Sequence, residues 1–327
     1  MKLTRRGFLA ASAAPAVLRG AAMMTHRQRV DAAIAGRKPD QPPISLWNHF
    51  GLEQEGPEAH ARRTLEFHRD ASTDLVKVMS DFPFPRPAGQ WYEIKVLSSP
   101  FAPQLKALEI IRKELGRSAH FIETIFNPWN VAEKLSSPSE VRRLMREQPQ
   151  RLLDALEAIA RSEANHARQA LRRGASGIFL AIANAQDGLM TREEYAKFSE
   201  PFDRMVVDAA GSAPLNVLHL HGEKVWVEYF LRSPWKVTAV NWSMHETRYS
   251  IRLARFHRKS IAGGVVLGGI DHRNYRTRTV AELTQDIRFA MNDAAPKLIV
   301  SPGCSIPDDT TTEEIKKLAA AAAAAAA

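Results

Sequence analysis

One cysteine, Cys304, stands in a chain of 327 residues. No intrachain disulfide can form, and a zinc finger built on two or four cysteines is excluded. No apolar run reaches the roughly 18 residues of a membrane span, so no transmembrane anchor is expected. Neither G-x-G-x-x-G nor G-x-x-x-x-G-K-[ST] occurs, which removes the two commonest phosphate-cradling loops. Interleaved basic and aromatic residues are missing as well, and no nucleic-acid partner is expected. What is present is ordinary for a globular chain: 45% hydrophobic and 25% charged residues. A chain of this length buries a full core without covalent staples.

Both ends depart from that pattern. Met1–Ala22 carries Lys2, Arg5, Arg6 and Arg19 and no acid; without it the net charge falls from +9 to +5. A basic start, an Ala-rich apolar stretch and small residues before Met23 form an export-signal pattern. Thr4-Arg5-Arg6-Gly7-Phe8-Leu9 resembles a twin-arginine signal. The expectation is an exported, periplasmic protein that engages the twin-arginine machinery; a start at Met23 or Met24 would instead leave it cytoplasmic. Residues 319–327 are all alanine, extend a last helix and are given no function. The expected organisation is therefore a signal segment over 1–22, one domain over 23–318 and an alanine tail.

Within 23–318, short β-rich runs alternate with helical patterns. The runs are Ile44–Asn48, Asp74–Met79, Phe121–Phe126, Gly177–Ala183, Leu215–His221, Val237–Trp242, Val265–Ile270 and Lys297–Val300. Capping boxes are expected at Ser137–Glu140, Thr191–Glu194, Thr279–Glu282 and Thr311–Glu314, each marking a helix start. Eight alternations predict an α/β chain folded as a single (β/α)8 TIM barrel. Phe82–Ser118 is longer than one helix needs and holds the apolar run Trp91–Leu97, which suggests a hairpin or lid.

Barrel chemistry sits at the carboxyl ends of the strands. There the sequence places Asn48, His49, Asp81, Asn127, Asn184, Gln186, Asp187, His219, His221, Trp242, His245, Asp271, His272 and Cys304. In Leu215-Asn-Val-Leu-His219-Leu-His221-Gly222, alternation puts Val217, His219 and His221 on one face and Leu218 and Leu220 on the other. Cys304 follows the last run in Ser301-Pro-Gly-Cys304. Two imidazoles and a thiolate make a three-donor zinc site with its fourth position open, the mark of a catalytic zinc. Copper also suits this donor set. The His-x-His pair by itself reads first as two hydrogen-bonded core histidines, and it is Cys304 at another strand end that turns the reading to metal. Arg248, Arg252, Arg255 and Lys259 form one helical stripe, read as a solvated outer face.

Several segments together resemble the uroporphyrinogen decarboxylase superfamily. They are Arg27–Gly36 with Asp40-Gln-Pro-Pro43, Val76-Lys-Val-Met-Ser-Asp81, Leu189–Pro201, His219-Leu-His-Gly222, Leu267-Gly-Gly-Ile-Asp271 and Pro302-Gly-Cys304. The resemblance implies a (β/α)8 barrel over nearly the whole of 23–318. In its methyltransferase branch, zinc held by His-x-Cys and a distant Cys serves methyl transfer from a corrinoid to a thiol. The matching positions here are His219, His221 and Cys304, with histidine in place of the first cysteine. One thiolate and two imidazoles leave Zn²⁺ a formal +1, so a bound thiolate is held tightly but is less nucleophilic.

The decarboxylase branch holds substrate carboxylates with Arg-x-x-Gly-Arg. The corresponding Leu46–Glu55 has no arginine and two glutamates. That branch's pyrrole-binding aspartate corresponds to Asp81. Three expectations follow. The first is a zinc-dependent methyltransferase acting on a small-molecule thiol or similar nucleophile, with a corrinoid protein or another methyl donor as partner; Asp81 and Asp271 are its candidate catalytic residues. The second is a metal-free porphyrinogen decarboxylase, a lyase using Asp81. The third is an exported metal- or ligand-binding protein without turnover.

Overall fold

The computed structural model describes residues 23–52, 54–232, 235–247 and 264–327. The proposed signal segment and the Arg248–Lys259 stripe lie outside the described residues.

Seven parallel strands form one sheet in chain order. They are β1 (Leu75–Val78), β2 (His120–Phe126), β3 (Ile178–Ile182), β4 (Val217–Leu220), β5 (Ala239–Trp242), β6 (Val265–Ile270) and β7 (Leu298–Pro302). Among the described residues, eleven α-helices accompany them. Helix α1 (His26–Ile34) precedes everything and α2 (Gly56–Ala71) leads into β1. Helix α3 (Ala102–Leu115) precedes β2; α4 (Pro128–Leu135), α5 (Pro138–Glu147) and α6 (Pro149–Arg172) separate β2 from β3. Helices α7 (Arg192–Phe198) and α8 (Glu200–Ala209) follow β3, and α9 (Val227–Arg232) follows β4. Helix α10 (Val280–Ala294) follows β6, and α11 (Thr312–Ala326) ends the fold, taking in most of the alanine run. No helix among the described residues is long and apolar enough to cross a membrane.

The sheet curls into a TIM-like barrel that an eighth strand does not fully close. The run Ile44–Asn48, expected as a strand, makes one parallel bridge, Ile44 to Val300. The cause is local. Pro42 and Pro43 have no N–H to donate, and the Ile44 N–H goes to the Asp74 carboxylate at 2.8 Å. Ser45 Oγ donates to the Leu75 carbonyl at 2.9 Å. Ser45 N still donates to the Val300 carbonyl at 2.8 Å and Leu75 N to the Ile44 carbonyl at 3.2 Å, and through these bonds the segment tacks β7 to β1.

Alternation sorts the strand residues into two cores. Leu75, Met79, Ile122, Phe179, Val217, Ala239, Val265, Leu267 and Ile299 fill the interior with Trp47, and Val30 and Ala33 of α1 plug it. Leu218, Leu220, Val240, Val266 and Leu298 face the helices. Full capping boxes start α7, α10 and α11. At α5 only half the expected box forms: Ser137 Oγ accepts from Glu140 N, while the Glu140 carboxylate pairs with Arg143 at 2.8 Å.

The expected hairpin in Phe82–Ser118 is absent. Trp91–Glu93 is one 3-10 turn, and Trp91 and Ile94 are buried in the outer core. The Leu97 N–H and carbonyl bond to Ser162 and Asn165 of α6 at 2.9 Å each. The segment is a strap anchored on α6.

Candidate active site

A cavity of about 440 Å³ opens at the carboxyl ends of the strands, within the usual range for small-molecule sites. His219 enters it from β4, His221 from the residue after that strand, and Cys304 from the turn after β7. One donor atom of each lies within 4.8 Å of the other two, the one group of this kind among the described residues. Exposure grades across the group: His219 is buried, Cys304 intermediate and His221 exposed.

The tautomer of His219 follows from its neighbour. Asn241 on β5 is fully buried, and its Nδ2 donates to the carbonyls of Leu267 and Pro302 at 3.1 and 3.0 Å. Its Oδ1 is thereby fixed as the acceptor, 2.6 Å from His219 Nδ1. Nδ1 therefore carries the proton, and Nε2 presents a lone pair. Phe179 stacks on the ring at 5.0 Å between centroids. Burial lowers the His219 pKa against the opposing pull of Cys304, so the ring stays neutral, as a ligand must.

His221 Nδ1 lies 3.3 Å from Cys304 Sγ. Bonds of about 2.0 and 2.3 Å to a tetrahedral zinc would set these atoms about 3.5 Å apart. The donor set fits zinc by chemistry and by this spacing. The hydrogen bond to Cys304 raises the His221 pKa despite burial. Burial pushes the Cys304 thiol up, but its imidazole neighbours outweigh that and hold the thiol at about 4; the donated proton is that of His221, because His219 gives its own to Asn241.

The turn that carries Cys304 requires a glycine. A Cβ on Gly303 would sit 2.4 Å from Ser243 Cα. Beyond it, Ile306 N donates to the Trp47 carbonyl at 3.1 Å, and His49 N to Asp308 Oδ1 at 3.0 Å. Gly303→Ala must push the turn away from β5, at a cost of about 1–3 kcal/mol. The expected outcome is lower stability in urea unfolding together with loss of bound zinc. Asn241→Ala frees the His219 ring while leaving all three donors. Zinc affinity should fall about 10–100-fold, as read by competition with a chromogenic chelator.

The other strand-end residues divide sharply. His49 lines the cavity, and its Nδ1 is 3.1 Å from Asp81 Oδ1. Asp81 itself faces a smaller side cavity of about 190 Å³ shared with Glu163 and Arg86. His60 Nε2 is 3.5 Å from its other oxygen. Burial raises the Asp81 pKa, but hydrogen bonds and charge from His49 and His60 prevail and hold it well below the carboxylate range. Asp81 thus reaches the main cavity through His49. Asp271 does not line it: its oxygens accept from Arg273 N at 3.1 Å and Asn274 Nδ2 at 2.7 Å, the bonds of a turn aspartate. Asn127 and Asn184 bond each other and Asp203 or Ser199. Glu123 is buried against His166 and Gln104 at 2.8 and 3.0 Å.

Sequence reasoning passed over Lys77, Thr124, Phe179 and Asn241. Lys77 and Thr124 line the cavity beside Cys304. Burial pushes the Lys77 ammonium down to about 7, with Cys304, Asp81 and Glu123 opposing. The available signal was the period-two pattern Leu75, Lys77, Met79, which sets a lysine on the inward face of an apolar strand.

Residues 83–325 match the uroporphyrinogen decarboxylase (URO-D) family. The chain belongs to that family. Members of this fold include enzymes, among them methyltransferases, and solved structures extend the likeness along the chain. A methyltransferase from Methanosarcina mazei is similar at a TM-score of 0.70 and 18% identity, over 91% of this chain and 98% of that one. A B12-independent methionine synthase from a Shewanella species is similar at 0.60 and 15%, over 87% and 94%. At these identities the likeness is one of fold. No curated protein matches the sequence.

Proposed function

We propose that this family member is a zinc-dependent methyltransferase acting on a small thiol or similar nucleophile, with His219, His221 and Cys304 as the metal ligands. One observation carries the reading: three donors from β4 and the β7 turn converge within 4.8 Å on the wall of a cavity. When bound there, zinc supplies an open Lewis-acid position for the nucleophile. Asn241 holds His219 with Nε2 toward the site. His221 would offer its Nδ1 lone pair to the metal beside Cys304. The His49–Asp81 pair presents its other ring nitrogen, Nε2, for proton transfer at the cavity wall. Trp47, Phe126 and Phe179 exclude water from the nucleophile's path.

Similarity of fold to two enzymes of methyl transfer supports the reaction class. The (β/α)8 barrel completed by the Ile44 segment, export through the twin-arginine route and a corrinoid methyl donor belong to the same proposal. The test begins with metal analysis by mass spectrometry on the chain from Met23, purified without chelator or histidine tag. About one zinc per chain, followed by thiol-dependent demethylation of methylcobalamin or methyl transfer from another donor, supports the reading. Copper in its place redirects the site to metal handling. No metal after reloading sinks it and returns attention to Asp81 in a metal-free lyase.

A further inference from the structure

Lys77 is buried, 6% exposed, on the inward face of β1. Among the described residues no carboxylate pairs with it. Its Nζ donates to Met79 Sδ at 2.9 Å and lies over the rings of Phe179 and Trp47, 4.5 and 5.3 Å from their centroids. A buried ammonium without an oxygen partner is costly. The same wall holds a second unused group: Thr124 is 2% exposed, lines the cavity and has Oγ1 buried without any hydrogen bond. The two are close by register. Lys77 pairs with Ile122 across the parallel strands, and Thr124 is the next residue along β2 on that inward face.

Two buried donors, one charged, thus face one cavity beside the metal ligands with no oxygen acceptor, Lys77 donating to a thioether and Thr124 to nothing. The neighbouring Glu123 cannot serve, because its carboxylate points the other way, to His166 and Gln104. Cys304 does not account for them either. His221 stands 3.3 Å from its sulfur, and a counter-ion for a thiolate leaves the Thr124 hydroxyl unexplained. Around them the wall is apolar, with Trp47, Met79, Phe179 and Ala181, while Asn130, Glu133 and Lys134 line another part of the cavity.

The geometry points to an oxyanion subsite formed by Lys77 Nζ and Thr124 Oγ1, which binds the carboxylate, or a comparable oxyanion, of a substrate whose apolar body runs along the aromatic wall to the metal ligands. This deepens the reading above by naming the substrate's chemical class. Lys77 supplies charge and a donor, and Thr124 a second, oriented donor. The aromatic rings exclude water, which strengthens both. An acid is then preferred over its amide, because the amide leaves the ammonium unneutralised.

The test uses the chain from Met23, stripped of metal, and isothermal calorimetry with phenylacetate against phenylacetamide. Phenylmethanesulfonate and benzylphosphonate serve as further arms that identify which oxyanion fits best. The acid should bind at least about tenfold tighter than the amide, the usual size of a hydrogen bond to a charged group. Lys77→Met should abolish the preference. Thr124→Val, an isosteric change that keeps the β-branched shape, should reduce it several-fold, and Cys304→Ala should leave it intact. Equal binding of acid and amide, binding of neither, or a preference that survives Lys77→Met overturns the inference. So does a preference lost in Cys304→Ala alone, which would place the anion at the metal ligands. Failure of the zinc reading stays separate: absence of metal uptake with the acid preference intact sinks the zinc site only.

Discussion

Cys304→Ala should fold and hold no zinc. The side chain is only partly buried, so truncating it leaves little cavity and costs little stability. Its loss to the metal is far larger. Sites of four ligands bind zinc with about 10–16 kcal/mol, or about 3 kcal/mol per ligand shared evenly, which is at least a hundredfold in affinity. Cys304 is also the one anionic donor, so its removal leaves two neutral imidazoles facing a dication. His221→Ala should weaken zinc by about a hundredfold and His219→Ala by at least as much, since His219 is the donor already oriented by Asn241. Metal content after dialysis against a weak chelator orders the three variants. Retention of stoichiometric zinc by Cys304→Ala would remove the cysteine from the site, and with it the methyl-transfer reading.

In the metal-free chain, alkylation of Cys304 by iodoacetamide should be nearly independent of pH between about 5 and 8. The thiol stands at about 4 instead of 9.0, because its imidazole neighbours, with His221 carrying the donated proton, overcome burial. The thiolate therefore persists until pH falls through about 4. At pH 6 its fraction exceeds that of an ordinary thiol by about a thousandfold, while the lower basicity reduces each thiolate's nucleophilicity by about a hundredfold. The net expectation is about tenfold faster alkylation at pH 6 than for the urea-unfolded chain, reversing above about pH 7.

The linkage has the same sign for stability. A depressed pKa contributes stability that is fully present above the unfolded value and lost as pH falls through the folded one. The Cys304–His221 contact should thus cease to stabilise the metal-free fold below about pH 4; the raised pKa of His221 has the opposite sign and its contribution is lost as pH rises through it, so the contact stabilises most between the two. His221→Gln should move the break in the alkylation profile upward. A profile rising through pH 8–9 in the unmutated protein would show that the thiol is ordinary.

The shared face of the two histidines is legible in the sequence because strand alternation is a local rule. Once Leu215–His221 reads as a strand, His219 and His221 must share a face with Val217, and the cores sort the residues that way. Local rules also located the helix starts at Thr191, Thr279 and Thr311. They failed at Ile44–Asn48, where the residues have strand character but the ladder stops at one bridge. Two prolines and the Asp74 carboxylate decide that segment, and Asp74 lies 30 residues away.

The separation of Asp81 from Asp271 was equally out of reach of local rules. Both follow a strand, and both read as strand-end acids. One meets two histidines from other segments; the other is consumed by its own turn. Lys77 and Thr124 were hidden for a related reason. A polar residue inside an apolar strand looks outward-facing until the register with β2 shows which face encloses the cavity.

By itself, then, the sequence determined the α/β alternation, which residues of a strand share a face, and the types of donor available. Those depend on backbone period and side-chain chemistry, which neighbours a few residues apart settle. Only the tertiary structure decided which donors meet. Cys304 and His221 stand 83 residues apart in the chain and 3.3 Å apart in space, because the sheet curls until the ends of β4 and β7 face each other across one cavity. That curl is a property of all seven strands acting together, and no single segment encodes it.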